Sequence, residues 1–169
     1  MTKHNKVKKF VLFVTVGAIL LTIPPIAQKY IIVNTTPSLP GRVYLINHDR
    51  NFVRNATVMF CHTEKVNALI QMIRKQTGAC PLTGATPNLK IIAGVPGDLV
   101  IADGKGEITI NGNIFTGTST KPQLPSWRFE GVIPPHRYLL LTHHRDGLDS
   151  RYFGFIAEEQ IISTIKELF

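Results

Sequence analysis

From Phe10 to Gln28 the chain runs for nineteen positions without a charged residue (FVLFVTVGAILLTIPPIAQ). As a helix this run would be about 28 Å long, close to the ~30 Å hydrocarbon core of a bilayer. Whatever folds after it must then do so on one side of a membrane. Lys3, Lys6, Lys8 and Lys9 precede the run, and basic flanks stay in the cytoplasm, which places everything after Lys29 outside. Pro24 and Pro25 weaken the last turn but are tolerated in membrane helices. The competing expectation is a cleaved leader. Its cleavage site would want two small residues, and only Ala27 qualifies, with Pro25 in the other place. The expected organisation is a basic tail at 1–9, a signal-anchor at 10–28 and a folded domain at 29–169.

The formal net charge of +8 raises a nucleic-acid reading, but four of those charges lie before the apolar run. The remaining chain does not interleave basic and aromatic residues as a nucleic-acid surface does, so no nucleic acid is expected as a partner. With 44% hydrophobic and 18% charged residues, the composition excludes a disordered chain and a coiled coil. The two cysteines, Cys61 and Cys80, are an even number in a chain that reads as exported. A disulfide between them would close a loop of about 20 residues and add roughly 3 kcal/mol on the loop-entropy estimate. Residues 61–88 would then form a disulfide-closed insertion. Two free thiols are the alternative.

Beyond the apolar run the signals are mostly those of strands. Tyr30–Asn34, Arg42–Ile46, Thr57–Cys61, Leu89–Val95, Leu99–Asp103, Glu107–Ile110, Asn113–Phe115, Arg137–Thr142 and Tyr152–Phe155 are short and rich in β-branched or aromatic residues. Gly112-Asn113 marks a tight hairpin turn. Glu64–Gln76 places Val66, Leu69, Ile70 and Ile73 at helical spacing, and Ala157–Leu168 reads as a closing helix. Thr77–Asn88 and Thr116–Pro135 read as loops. With no βαβ rhythm, the expected class is mainly β (α+β), built from antiparallel sheet.

Chemistry enters at Thr36-Pro37-Ser38-Leu39-Pro40. The prolines bias the residues before them to extended conformations, so Ser38 sits in a stiff segment that resists becoming helix. A nucleophile needs such fixed presentation, although serine between prolines is also ordinary turn composition. Lys90 lies in the apolar run Leu89-Lys90-Ile91-Ile92-Ala93. If that strand is buried, dehydration disfavours the ammonium, and a drop of roughly 2–3 units from ~10.4 would make Lys90 a general base near neutral pH. A lysine pointing at water from an edge strand is the alternative. Together the two residues could form a Ser–Lys dyad.

Three segments carry a resemblance. They are Asn34-x-Thr36-x-Ser38-Leu39-Pro40, then Leu89-Lys90-Ile91-Ile92-Ala93-Gly94-Val95-Pro96-Gly97-Asp98, then Leu148-Asp149-Ser150-Arg151-Tyr152-Phe153-Gly154. In this order, behind an N-terminal apolar run, the chain resembles the signal peptidase family, peptidase S26. The compact spacing and two cysteines are most similar to its conjugative-transfer branch. The resemblance implies that Ser38 is the acylating nucleophile and Lys90 its general base. Thr36 and the Ser38 N–H would form the oxyanion hole, and Asp149 would be a further catalytic candidate. Arg151 and Asp98 would give structural support. Four residues at three places depart from the family pattern. Gly41-Arg42 exchanges the usual order, Gly147 replaces a serine that often binds the lysine, and Phe155 replaces a proline.

The implied function is that of a serine endopeptidase anchored in the inner membrane. Its catalytic domain would lie in the periplasm and process an exported precursor such as a pilin, by hydrolysis or by cyclisation. A non-catalytic assembly protein of a conjugation machine that keeps the fold is the alternative. Neither a cofactor nor a metal is implied: His62, His136, His143 and His144 lack metal-ligand spacing and read as exposed histidines. Ser163-x-x-Lys166 fits an S-x-x-K spacing but lacks companion motifs.

Overall fold

Strand β1 (Ile31–Val33) pairs with β2 (Val43–Asn47) as a hairpin in which Val33 faces Val43. The loop 34–42 that joins them carries Ser38 at its tip, and Asn34 N–H closes its base on the Arg42 carbonyl at 2.7 Å. The computed structural model describes residues 29–36, 38–73, 78, 80–81, 83–115, 124–144 and 147–168. The apolar run at 10–28 lies outside these residues. Among the described residues no helix is long and apolar enough to cross a membrane.

The remaining elements are β3 (Thr57–Phe60), α1 (Glu64–Ile73), β4 (Asn88–Gly94), β5 (Leu99–Asp103), β6 (Ile108–Ile110), β7 (Asn113–Ile114), β8 (Arg128–Val132), β9 (Arg137–Leu141), α2 (Ser150–Phe153), β10 (Ile156–Ala157) and β11 (Ile161–Glu167). The described strands form two antiparallel sheets. Seven strands run in the order β1-β2-β11-β3-β4-β9-β10, and four in the order β7-β6-β5-β8. An apolar cluster of Ala93, Val100, Ala102, Ile108, Ile110, Ile133, Leu139 and Leu141 joins the two sheets. A second cluster, around Val58, Phe60, Ile92, Leu140 and Ile161, fills the large sheet. Leu39, Tyr44, Met59, Leu89 and Ile165 pack beneath the serine loop.

Four elements differ from the sequence-based expectation. Ala157–Leu168 is not a helix. After one 3-10 turn at Glu158–Gln160 it becomes β11, which lies between β2 and β3. Ile161 and Ile165 do recur at helical spacing. However, the segment is rich in β-branched residues, and both flanking strands offer it ladder partners. Tyr152–Phe155 is not a strand: Asp149 caps the N-terminus of α2, and Gly154, at φ +70°, ends it. The loop expected at Thr116–Pro135 contains β8, whose alternating residues place Phe129 inward against Trp127 and Phe155. The β6–β7 turn sits one residue earlier than expected, at Asn111-Gly112, both with positive φ.

Cys61 and Cys80 form a disulfide. It ties the end of β3 to the segment before β4 and encloses α1.

Candidate active site

Asn34 organises the serine loop. Its Oδ1 accepts hydrogen bonds from the Thr36 N–H at 3.1 Å and the Thr36 hydroxyl at 3.0 Å. Its Nδ2 donates to the carbonyls of Leu39 at 3.2 Å and Gly41 at 3.1 Å. One amide thus replaces the ladder that a loop lacks. The Thr36 hydroxyl has one hydrogen, and that hydrogen goes to Asn34. In the 2.8 Å contact between Thr36 Oγ1 and Ser38 Oγ, Ser38 is therefore the donor. At the far side of the loop, Gly41 N–H donates to the buried Tyr44 hydroxyl at 3.0 Å. A Cβ at Gly41 would sit 2.6 Å from the Glu167 side chain, so the exchanged Gly41-Arg42 order suits the crossing of β11 beside this turn.

Lys90 is placed quite differently. It lies on β4, between β3 and β9 inside the large sheet, and only 4% of it is exposed. It is not an edge-strand lysine. Val58 faces it across the β3–β4 ladder. On the other side Ile91 faces Leu141 and Ile92 faces Leu140, and the same register carried one residue further sets Lys90 opposite Thr142. Alternation puts Val58, Lys90 and Thr142 on one face.

Thr142 joins the two halves. Its hydroxyl donates to the Ser38 carbonyl across 104 residues of sequence. The large sheet therefore curls until the tip of the β1–β2 loop meets the end of β9. Thr142 N–H donates to Asp149 Oδ2 at 3.1 Å, and its carbonyl accepts from Arg151 Nη2 at 3.2 Å. Asp149 and Arg151 form a buried ion pair, with Nε to Oδ1 at 2.8 Å and Nη2 to Oδ2 at 2.5 Å. Asp149 Oδ1 also accepts the Arg151 N–H at 3.1 Å, and Ser150 Oγ accepts Leu140 N–H at 3.0 Å. This last segment thus supports the end of β9.

Asp98 lies elsewhere, in the turn after β4. Its carboxylate accepts Val95 N–H at 2.7 Å and the Asn111 amide at 2.9 Å, and it pairs with Arg54. Burial alone would raise its pKa, but these three donors more than offset that and hold it below the ordinary range. Asp98 fastens the first sheet to the β6–β7 turn.

His62 corrects an expectation. It is buried rather than exposed, packed edge-to-face between Phe60 at 4.8 Å and Phe153 at 4.9 Å. Neither ring nitrogen has a hydrogen-bond partner among the described residues. Burial first, and the nearby Lys90 charge second, pull its pKa down to about 3, so it stays neutral. By contrast His136 is exposed and meets Glu158 at 2.9 Å, and His143 stacks on Phe115. Ser163 and Lys166 do not form a site, since Ser163 faces the core and Lys166 faces solvent.

The model of the family described as "Signal peptidase, peptidase S26" matches residues 5–169. The chain belongs to that family. Among its relatives, "Conjugal transfer protein TraF" from Agrobacterium tumefaciens (strain 15955) is 26% identical over 99% of this chain and 97% of its own length. A signal peptidase I from Enterococcus faecalis V583 aligns with 68% of this chain and 96% of its own, at 16% identity and a TM-score of 0.39. In this member of the S26 family, the serine loop and the C-terminal segment meet at Thr142, which the β4–β9 register sets opposite Lys90 and which lies in none of the three motifs. Asn34 could have been singled out from Asn34-x-Thr36, a pattern suited to a side-chain-closed turn. Nothing in the local sequence of Thr142 or His62 marked either.

Proposed function

We propose that this chain is a membrane-anchored serine endopeptidase in which Ser38 is the nucleophile and Lys90 the general base. The observation that carries the reading is the convergence at Thr142, which holds the Ser38 carbonyl and which the β4–β9 register, carried one residue past its last pair, sets opposite the buried Lys90. Loss of hydration at Lys90 is the physical condition that a neutral amine requires.

In the reaction, the Ser38 O–H turns from Thr36 towards the Lys90 amine. Ser38 Oγ attacks the scissile carbonyl, and its proton passes to Lys90 Nζ. The tetrahedral oxyanion is received by the Ser38 N–H and by the Thr36 hydroxyl, which rotates away from Asn34. A donor of this kind contributes about 3–4 kcal/mol in acyl transfer. When the C–N bond breaks, Lys90 returns its proton to the leaving amine, leaving an ester on Ser38. Water, or an amine, then releases the acyl group. Asp149 acts through the Thr142 N–H and the Arg151 pair rather than on substrate.

The substrate is an exported precursor presented at the outer face of the inner membrane, with the run at 10–28 as the anchor. It would lie extended, pairing with a strand near the site. The likeness to a conjugal transfer protein supports a role in conjugative transfer; with a pilin-like precursor as the substrate, the resolving amine would be the precursor's own N-terminus.

The test is mass spectrometry of a co-expressed precursor with wild type, Ser38→Ala and Lys90→Ala. Processing by wild type and by neither variant, with both variants folded, is the expected outcome. A cyclic product would be lighter than the hydrolysed one by one water. Processing by either variant at the wild-type rate overturns the dyad and leaves an assembly protein that keeps the peptidase fold.

A further inference from the structure

We infer that Thr142 is the positioning residue that fixes the Ser38 loop against the Lys90 strand, and that Gly147 is glycine because this threonine occupies its side-chain space. The inference rests on Ser38 and Lys90 being the reacting pair.

Thr142 is fully buried, and each of its polar groups is engaged. The hydroxyl donates to the Ser38 carbonyl and accepts the His144 N–H at 3.2 Å. The main chain is gripped from both ends of the Asp149–Arg151 pair. The hydroxyl is therefore the end of a rigid bracket: a buried ion pair fixes the main chain of Thr142, and its side chain fixes the carbonyl of the nucleophile. The rest of the loop is held by the Asn34 amide, which grips Thr36, Leu39 and Gly41, and by the Gly41–Tyr44 bond. Releasing the Thr142 contact would free the Ser38 carbonyl between those points. Misplacement of a reacting group by about 1 Å can cost on the order of 10²-fold in rate.

Gly147 supplies the independent observation. It is buried, and its N–H donates to the His144 carbonyl at 3.0 Å. It is not among the glycines with positive φ, so its backbone conformation does not require glycine. Space does. A Cβ there would overlap Thr142 Cγ2, and would lie 3.1 Å from the His144 carbonyl and 3.4 Å from Arg151 Nη2. The Thr142 methyl thus fills the volume that residue 147 leaves open. The methyl also fixes the rotamer that points the hydroxyl at Ser38, because a β-branched side chain has few staggered choices. Threonine at 142 and glycine at 147 form one steric unit.

The experiment uses the full chain in detergent and four variants: Thr142→Val, Thr142→Ser, Gly147→Ala, and the Thr142→Ser/Gly147→Ala double. Three quantities are measured: the rate at which a fluorophosphonate probe acylates Ser38, hydrogen exchange of the 34–42 segment, and the unfolding midpoint. Thr142→Val keeps the shape and removes the hydroxyl. It is expected to slow acylation by about 10²-fold and to speed exchange in the 34–42 segment. Thr142→Ser keeps the hydroxyl and should stay within about threefold of wild type, a cost below ~1 kcal/mol. Gly147→Ala should be as impaired as the valine variant or unfold at a lower midpoint. In the double variant, removing the methyl should recover at least about tenfold of the Gly147→Ala loss, equivalent to ~1.4 kcal/mol.

Wild-type labelling and exchange in Thr142→Val would overturn the positioning role, and a double variant no better than Gly147→Ala would overturn the steric pairing. If wild type does not label Ser38 at all, the peptidase reading falls, and loop exchange and midpoints still decide whether Thr142 and Gly147 are coupled.

Discussion

The two halves of the proposed dyad are held by opposite means. Lys90 is fixed by secondary structure: its strand has ladder partners on both sides, and the buried side chains Val58, Ile92 and Leu140 lie on the same face of the sheet. Ser38 is fixed by side chains. Its loop at 34–42 is closed by the Asn34 amide on one side and the Thr142 hydroxyl on the other. A lysine held by a ladder can be displaced only by disturbing the whole sheet, whereas a serine held by a few polar contacts can be displaced while the fold survives. Stability and activity should therefore part company on the serine side and move together on the lysine side.

The bracket between the two sides should show the largest effect. Arg151→Ala leaves Asp149 buried without its cation, and breaking such a pair costs about 3–5 kcal/mol. Denaturant unfolding would measure this, and a loss below about 1 kcal/mol would mean that the pair does not hold the end of β9. Leu140→Ala comes next. It opens a cavity in the Lys90 face at a cost of about 2–5 kcal/mol. Acylation of Ser38 should fall only in proportion to the folded fraction. A large rate loss in fully folded protein would contradict the ladder's part in the comparison.

His62 sharpens the lysine side through pH. Its folded pKa is about 3 against an ordinary value of 6.5. As pH falls from 6.5 towards 3, the unfolded chain takes up a proton that the folded chain refuses. Stability is therefore lost across that window, by at most about 1.4 kcal/mol per pH unit from this group. His62→Phe keeps an aromatic ring between Phe60 and Phe153 and should flatten that part of the stability profile, as urea unfolding at pH 7, 5 and 4 would show. An unchanged slope would place the histidine in solvent.

Asn34→Ala should have the smallest effect on stability, about 1 kcal/mol, because its hydrogen bonds lie in a half-exposed loop. The same variant should slow acylation of Ser38 at least about tenfold, or ~1.4 kcal/mol in the barrier. Equal losses in both measurements would erase the distinction between the two halves.

The lysine half was far more legible in the sequence than the serine half's supports. Leu89-Lys90-Ile91-Ile92-Ala93 announces a strand, although not that Lys90 is buried in it, and most strand positions followed from runs of β-branched residues. Where local pattern and tertiary context disagreed, context won. Ile161–Glu167 has helical spacing yet fills the open edges of β2 and β3, while Ser150–Phe153 has strand-like residues yet is capped at Asp149 and stopped at Gly154. Thr142 could not be found by motif or periodicity. Its role depends on a carbonyl 104 residues away and on the absence of a side chain at Gly147. His62 was equally hidden, because a histidine after a strand reads as exposed unless the ring packing is known.

The most direct test of the Ser38–Lys90 pairing is the pH dependence of Ser38 acylation in wild type and Lys90→Ala, followed by intact mass with the modified residue located by peptide mapping. The expected result is a single adduct on Ser38 whose rate of formation rises as one group loses its proton, with both the adduct and the rise lost in Lys90→Ala. An adduct that forms at the same rate without Lys90, or on a residue other than Ser38, would contradict it.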